Sequence, residues 1–148
     1  MPVDVTSEVT IDRPVSTVAA YSADPSHAPD WYVNIESVEW ETPPPAQLGS
    51  RVAFVAKFLG RRLAYTFEFV EFAPGEQLVM RTAQGPFPME TTYTWTATAG
   101  GATHMTLRNR GEPTGFSKLM APFMAGAMRR ANRKDLAKLR SILEDANA

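Results

Sequence analysis

The chain of 148 residues has no cysteine, which excludes disulfide staples and thiolate metal sites. Histidine is scarce: only His27 and His104 occur. A histidine-based metal site would need both to converge with carboxylates. His27 falls in a loop and His104 on an outward strand position, so no metal is expected. Long apolar runs are also missing, and nothing approaches the roughly 18 residues that a membrane-spanning helix requires. Residues 1–14, MPVDVTSEVTIDRP, lack the basic start and apolar stretch of a secretory signal, so a cytoplasmic location is the expectation. No G-x-S-x-G, H-E-x-x-H, phosphate-binding loop or G-x-G-x-x-G is present. Most carboxylates fall in loops or on outward positions, so no paired general acid and base is visible. Ser117 reads as a helix cap and not as a nucleophile. No cofactor is called for.

What is present describes a globular domain. Apolar residues make up 44% and charged residues 21%, and a chain of this length buries roughly 70% of its unfolded surface. One domain over 1–148 is expected. The net charge of −1 says little, but its distribution is uneven. Residues 1–50 hold eight acids and one base, Arg13, whereas 118–140 hold seven of the fifteen lysines and arginines. Solvated faces of opposite sign account for this. The competing reading is a basic C-terminal helix that docks a protein or touches an anionic membrane transiently. Nucleic acid is not expected, because the aromatics point inward and the chain is not basic overall.

Alternation marks the strands. In VDVTSEVTI, 3–11, Val3, Val5, Val9 and Ile11 share one side. A short helix is expected over about 14–22, led by Pro14, then a turn or second short helix in DPSHAPDW, and a strand at 35–41. Turn chemistry sets the expected registers that follow. A Gly60-Arg61 turn places Phe58 opposite Leu63, Ala56 opposite Tyr65, Phe54 opposite Phe67 and Val52 opposite Phe69. A Pro74-Gly75 turn places Phe69 opposite Met80 inside and Glu68 opposite Arg81 outside as an ion pair. A loop at 100–102 places Trp95 opposite Leu107, Ala97 opposite Met105 and Tyr93 opposite Asn109. The result is one continuous apolar face on a five-strand meander, over about 50–59, 62–73, 76–83, 89–99 and 102–111.

From Thr114 to Asp145 a long helix is expected, capped by Thr114 or Ser117. Its apolar stripe drifts around the helix, as a kink at Pro122 would allow. The order strand, two short helices, six strands, long helix resembles the START-like helix-grip superfamily (SRPBCC), and within it the polyketide cyclase/dehydratase-like branch. The resemblance is carried by VTIDRPVSTVAAYSADPSHAPDWYVNIESVEW at the front, with its Pro-led helix, Asp24-Pro25 turn and Trp31. At the back it is carried by GEPTGFSKLMAPFMAGAMRRANRKDLAKLRSILED, with Gly115, Pro122 and LAKLRSILE. It implies an α+β fold: a seven-stranded antiparallel sheet wrapped around the C-terminal helix, with two short helices between strands 1 and 2. It also implies an apolar cavity between sheet and helix.

The inner face carries polar tips from Tyr65, Thr82, Thr91, Tyr93 and Asn109. Unpartnered and buried, each costs about 1–3 kcal/mol, so they need one another, water or a ligand. Met120 and Met124 flank Pro122, and Met adapts to irregular surfaces better than Leu or Ile. With Phe123 they are expected to wall the cavity, opposite Met80, Met89 and Met105, while Met128 is set nearer the edge of the stripe. The candidate lining is therefore Trp31, Phe54, Tyr65, Phe67, Met80, Met89, Tyr93, Trp95, Met105, Asn109, Phe116, Met120, Phe123 and Met124. The expected activity is binding of an apolar or aromatic small molecule, which the resemblance implies to be of polyketide, lipid or quinone type, by a monomer or homodimer. The enzymatic alternative is an aromatic polyketide cyclase or dehydratase, with Tyr65 or Tyr93 as proton donor and Asn109 as carbonyl ligand.

Overall fold

Strand alternation, turn glycines and one amphipathic helix account for almost all of the architecture. The computed structural model describes residues 3–112 and 123–145. In chain order the elements are β1 (Val3–Ile11), α1 (Val15–Ser22), a 3-10 turn (Pro25–His27), α2 (Ala28–Trp31), β2 (Ile35–Trp40), β3 (Arg51–Phe58), β4 (Arg61–Ala73), β5 (Gln77–Gln84), β6 (Met89–Ala97), β7 (Thr103–Gly111) and α3 (Met124–Asp145). The strands form one seven-stranded antiparallel sheet in the order β1-β7-β6-β5-β4-β3-β2. α3 lies against β1 and α2, and α1 lies against β6. This is the helix-grip arrangement. The expected helix start, with Thr114, Ser117 and Pro122, lies outside the described residues.

Each strand of the meander turns alternate residues inward, and these are buried: Val52 and Phe54 on β3, Leu63, Phe67 and Phe69 on β4, Leu78 and Met80 on β5, Tyr93 and Trp95 on β6, Met105 and Leu107 on β7. α3 adds Leu136, Leu139 and Leu143, all at most 5% exposed. Burial of each such leucine stabilises by about 1.5–3 kcal/mol.

Two hairpins differ from their expected register by two residues. The β3–β4 turn is Leu59-Gly60, not Gly60-Arg61, so Phe58 pairs with Arg61, Ala56 with Leu63, Phe54 with Tyr65 and Val52 with Phe67. Both turn residues have positive φ, 52° and 76°, as the tight turn that matches the right-handed twist of the strands demands. In the β6–β7 hairpin Gly100 and Gly101, at φ 89° and 82°, make the loop, and Thr98 N–H donates to Ala102 O at 2.8 Å. Trp95 therefore faces Met105, Tyr93 faces Leu107 and Thr91 faces Asn109. A slip of two residues keeps every side chain on its face, which is why the pattern could not detect it.

The β4–β5 hairpin pairs Phe69 with Met80 and Glu68 with Arg81 as expected, but Ala73 pairs with Gln77. A bulge between Phe69 and Glu71 absorbs the extra residue, and the loop is Pro74 to Glu76. The expected Glu68–Arg81 ion pair does not form. Arg81 Nη2 donates to Glu90 Oε2 at 2.7 Å, and Glu68 lies 3.7 Å from Arg51, because Arg81 also faces Glu90 on β6 and Glu68 also faces Arg51 on β3.

Candidate functional site

The inner face of the sheet divides along the strands. One part is filled core: Ile11, Trp95, Met105 and Leu107 are buried and off the cavity wall, and α1 lies against β6 there. There Trp95 Nε1 donates to Ser22 Oγ at 3.0 Å, and Ser22 Oγ donates to Val18 O at 2.7 Å. The other part is a cavity of about 120 Å³ between the sheet, the segment from α2 into β2, and α3. For scale, an apolar cavity of roughly 150 Å³ accepts benzene. The sheet contributes Phe54, Leu63, Tyr65, Phe67, Met80, Met89, Tyr93 and others to the wall, and α3 contributes Met124, Met128, Ala131, Asn132 and Asp135.

The polar groups of the wall are chained together. Thr91 Oγ1 donates to Asn109 Oδ1 at 2.6 Å, and Asn109 Nδ2 donates to Asn132 Oδ1 at 3.2 Å. The Tyr32 and Tyr93 hydroxyls hydrogen-bond to each other. The Thr82 hydroxyl accepts from Met89 N–H at 2.7 Å. Thr82, Thr91, Tyr93 and Asn109 are therefore partnered within the protein. On the helix, Asn132 Nδ2 is buried with no partner.

One turn along α3, Asp135 is 3% exposed and accepts from Val33 N–H through Oδ1 at 2.9 Å. Burial pushes its carboxyl up to about 7, against the opposing effects of the Val33 hydrogen bond and of Lys138. Burial, aided by the Asp135 charge, pushes the Tyr65 and Tyr93 hydroxyls up as well, and burial with the Tyr93 contact does the same to Tyr32. These tyrosines are hydrogen-bond donors near neutrality, not acids. Asn109 Oδ1 accepts from Thr91 and one N–H of its Nδ2 donates to Asn132, which leaves its second N–H for a further acceptor.

Of the fourteen residues expected to line the site, Phe54, Tyr65, Phe67, Met80, Met89, Tyr93, Asn109 and Met124 lie on the cavity wall. Trp31 does not. It is fully buried, with Tyr32 and Tyr93 against its ring at 4.1 and 5.8 Å. Trp95 and Met105 pair across β6 and β7 in the filled part of the core, off the cavity wall. Phe123 is 65% exposed, since it precedes Met124 and a step of one residue turns it off the inward stripe. Phe116 and Met120 lie outside the described residues. Met128, set at the edge by the sequence reading, is on the wall. Asn132 and Asp135 were missed altogether. Their signal was positional: in ANRKDLAKL they fall at helical spacing from Met128, Leu136 and Leu139, polar residues on an apolar stripe.

Among the described residues no three of His, Cys, Asp and Glu group closely enough to hold a metal ion, and no helix is long and apolar enough to cross a membrane. His104 lies 3.6 Å from Glu8 on the outer face, and His27 stacks on Tyr21 at 4.0 Å.

A curved sheet gripping a helix over a wall of aromatic and methionine carbon defines the class: a START-like helix-grip protein. The chain belongs to the polyketide cyclase/dehydrase and lipid transport family, whose model matches residues 2–144. Solved structures share the fold at low identity. A protein of Thermus thermophilus is 20% identical with a TM-score of 0.83, the match covering 98% of this chain and 99% of that one. The aromatase/cyclase Zhui of a Streptomyces species is 16% identical with a TM-score of 0.81, covering 100% and 97%. A START superfamily protein of Mycobacterium smegmatis is 16% identical with a TM-score of 0.78, covering 95% and 98%. No curated protein matches the chain in sequence.

Proposed function

We propose that the chain binds an apolar or aromatic small molecule in the cavity between the sheet and α3. The observation that supports this best is the wall itself: apolar and aromatic carbon with a few convergent polar groups, the usual form of a small-molecule site. The family description, which joins cyclase, dehydrase and lipid transport, agrees with such a cavity. A volume of about 120 Å³ suits one ring, so a larger fused-ring ligand has to extend toward the mouth or widen the space.

The test uses a fluorescent apolar probe and Met124→Trp. Met124 lies on the wall, so the indole enters open space. Probe affinity should fall while the melting temperature holds. A melting temperature lowered by several degrees with probe binding unchanged would mean overpacked core and would sink the reading. Native mass spectrometry of freshly purified protein identifies what the cavity carries.

A second reading, cyclisation or dehydration of a polyketide, is favoured by one observation. Asp135, at about 7, is poised to exchange a proton near neutral pH, unlike the tyrosines. Turnover of an aromatic polyketide precursor, lost in Asp135→Asn, would select the enzyme. A ligand retained unchanged would select the carrier.

A further inference from the structure

Two side chains on the inward face of α3 have hydrogen-bonding capacity that the described protein does not use. Asn132 is 4% exposed, lines the cavity, and has spent only its carbonyl: Oδ1 accepts from Asn109, while Nδ2 donates to nothing. A buried amide left this way costs about 1–3 kcal/mol, which a ligand acceptor would recover. Asp135, three residues on, also lines the cavity and uses Oδ1 for Val33 N–H. No described residue donates to its other oxygen. No described cation pairs with it either; Lys138 acts only at a distance. Residues at this spacing are neighbours on a helix face, about 5–6 Å apart at Cβ. The pair thus presents one donor and one acceptor, side by side, to an otherwise apolar space.

A hydroxyl oxygen is the simplest group that satisfies both. It accepts one hydrogen bond and donates another. A carbonyl or ether would serve Asn132 and leave Asp135 unmet, and an ammonium would do the reverse. We propose that the Asn132–Asp135 pair is the polar subsite of the cavity and selects ring compounds bearing a hydroxyl, phenols above all, taking the hydroxyl oxygen on Asn132 Nδ2 and its proton on Asp135. This rests on the reading of the cavity as an apolar-ligand site. The ring packs among Phe54, Phe67 and Met80, and the carboxylate strengthens the hydrogen bond because its partner is charged. The Tyr32 and Tyr93 hydroxyls share one hydrogen bond with each other, and the Tyr65 ring packs on the same wall.

The experiment compares p-cresol with p-xylene, which differ only by hydroxyl for methyl, in titrations at pH 8 followed by protein NMR. Apolar transfer alone favours p-xylene. The expected result is p-cresol binding at least tenfold more tightly to the wild-type chain. Asp135→Asn keeps the acceptor for Val33 N–H but turns the free oxygen into a donor. Asn132→Leu removes the donor. Each should erase most of the preference while p-xylene still binds, which shows that the variant is folded with its cavity open. If p-xylene binds the wild type as well as p-cresol does, or if both variants keep the preference, the subsite is wrong and the apolar cavity stands. Should neither compound bind the wild-type chain, the cavity reading itself falls, and the subsite with it.

Discussion

Asp135 is a carboxyl whose buried surroundings disfavour its charge. A carboxyl near 3.8 in the unfolded chain moves to about 7 in the fold, so between those values the native state holds the extra proton. Stability therefore falls as pH rises from about 4 to 7 and levels off above, with a charged-state cost on the order of 4 kcal/mol. The groups facing it are Tyr32 ahead of β2, Tyr65 on β4, Tyr93 on β6 and Lys138 on α3. None of them loses its charge state in that window. Asp4, Glu90 and Glu144 have lowered values, so their contributions are lost only below about pH 4.5. Asp135→Asn should match the wild type near pH 4 and melt several degrees higher at pH 8, as calorimetry at both pH values would show. Equal melting temperatures at pH 8 would mean that the carboxylate is not desolvated. The Thr91–Asn109 bond makes a second prediction at this scale. Thr91→Val leaves Asn109 Oδ1 buried without its donor, and should cost about 1–3 kcal/mol in urea unfolding.

Among the elements, the β3–β4 hairpin carries visible strain. Leu59 sits at φ 52°, a region that costs a branched side chain roughly 1–2 kcal/mol, and it is 37% exposed. Leu59→Asn supplies a residue that tolerates this conformation and gives up little burial. It should raise stability by about 1 kcal/mol in chemical denaturation; a loss instead would mean that Leu59 packs productively. The same hairpin shows how far strand patterns reach. Phe54, Phe67 and Tyr65 were correctly assigned to the inner face, because alternation fixes the side. Their partners were not, because a shift of two residues leaves that side unchanged. α3 shows the opposite case. Its apolar stripe was legible, but Asn132 and Asp135 were not singled out, since a polar residue on a helix is ordinarily solvated.

At the scale of the molecule, α3 and the sheet hold each other in place. The inner faces of the strands meet Leu136, Leu139 and Leu143, whose burial is comparable with the roughly 5–15 kcal/mol that keeps a whole domain folded. A chain ended at Glu112 should lose cooperative unfolding, bind a hydrophobic dye and aggregate. A soluble product with a sharp thermal transition would show that the sheet folds without its helix.

By itself the sequence determined the elements, their antiparallel succession and the face each strand turns inward. Those depend on period-two and helical patterns and on glycine-bearing turns, all local in the chain. Only the tertiary structure decided which stretch of that face is filled and which is open. Trp95 and Met105 share the alternation of Tyr93 and Asn109, yet the first two are packed in filled core and the other two line the cavity. An alternating pattern records the side of a sheet but not the position along it. Where the cavity falls depends on where α1 and α3 rest on the curved surface. That same placement turns Asn132 and Asp135 inward, where burial raises the carboxyl of one and leaves the amide of the other without a partner.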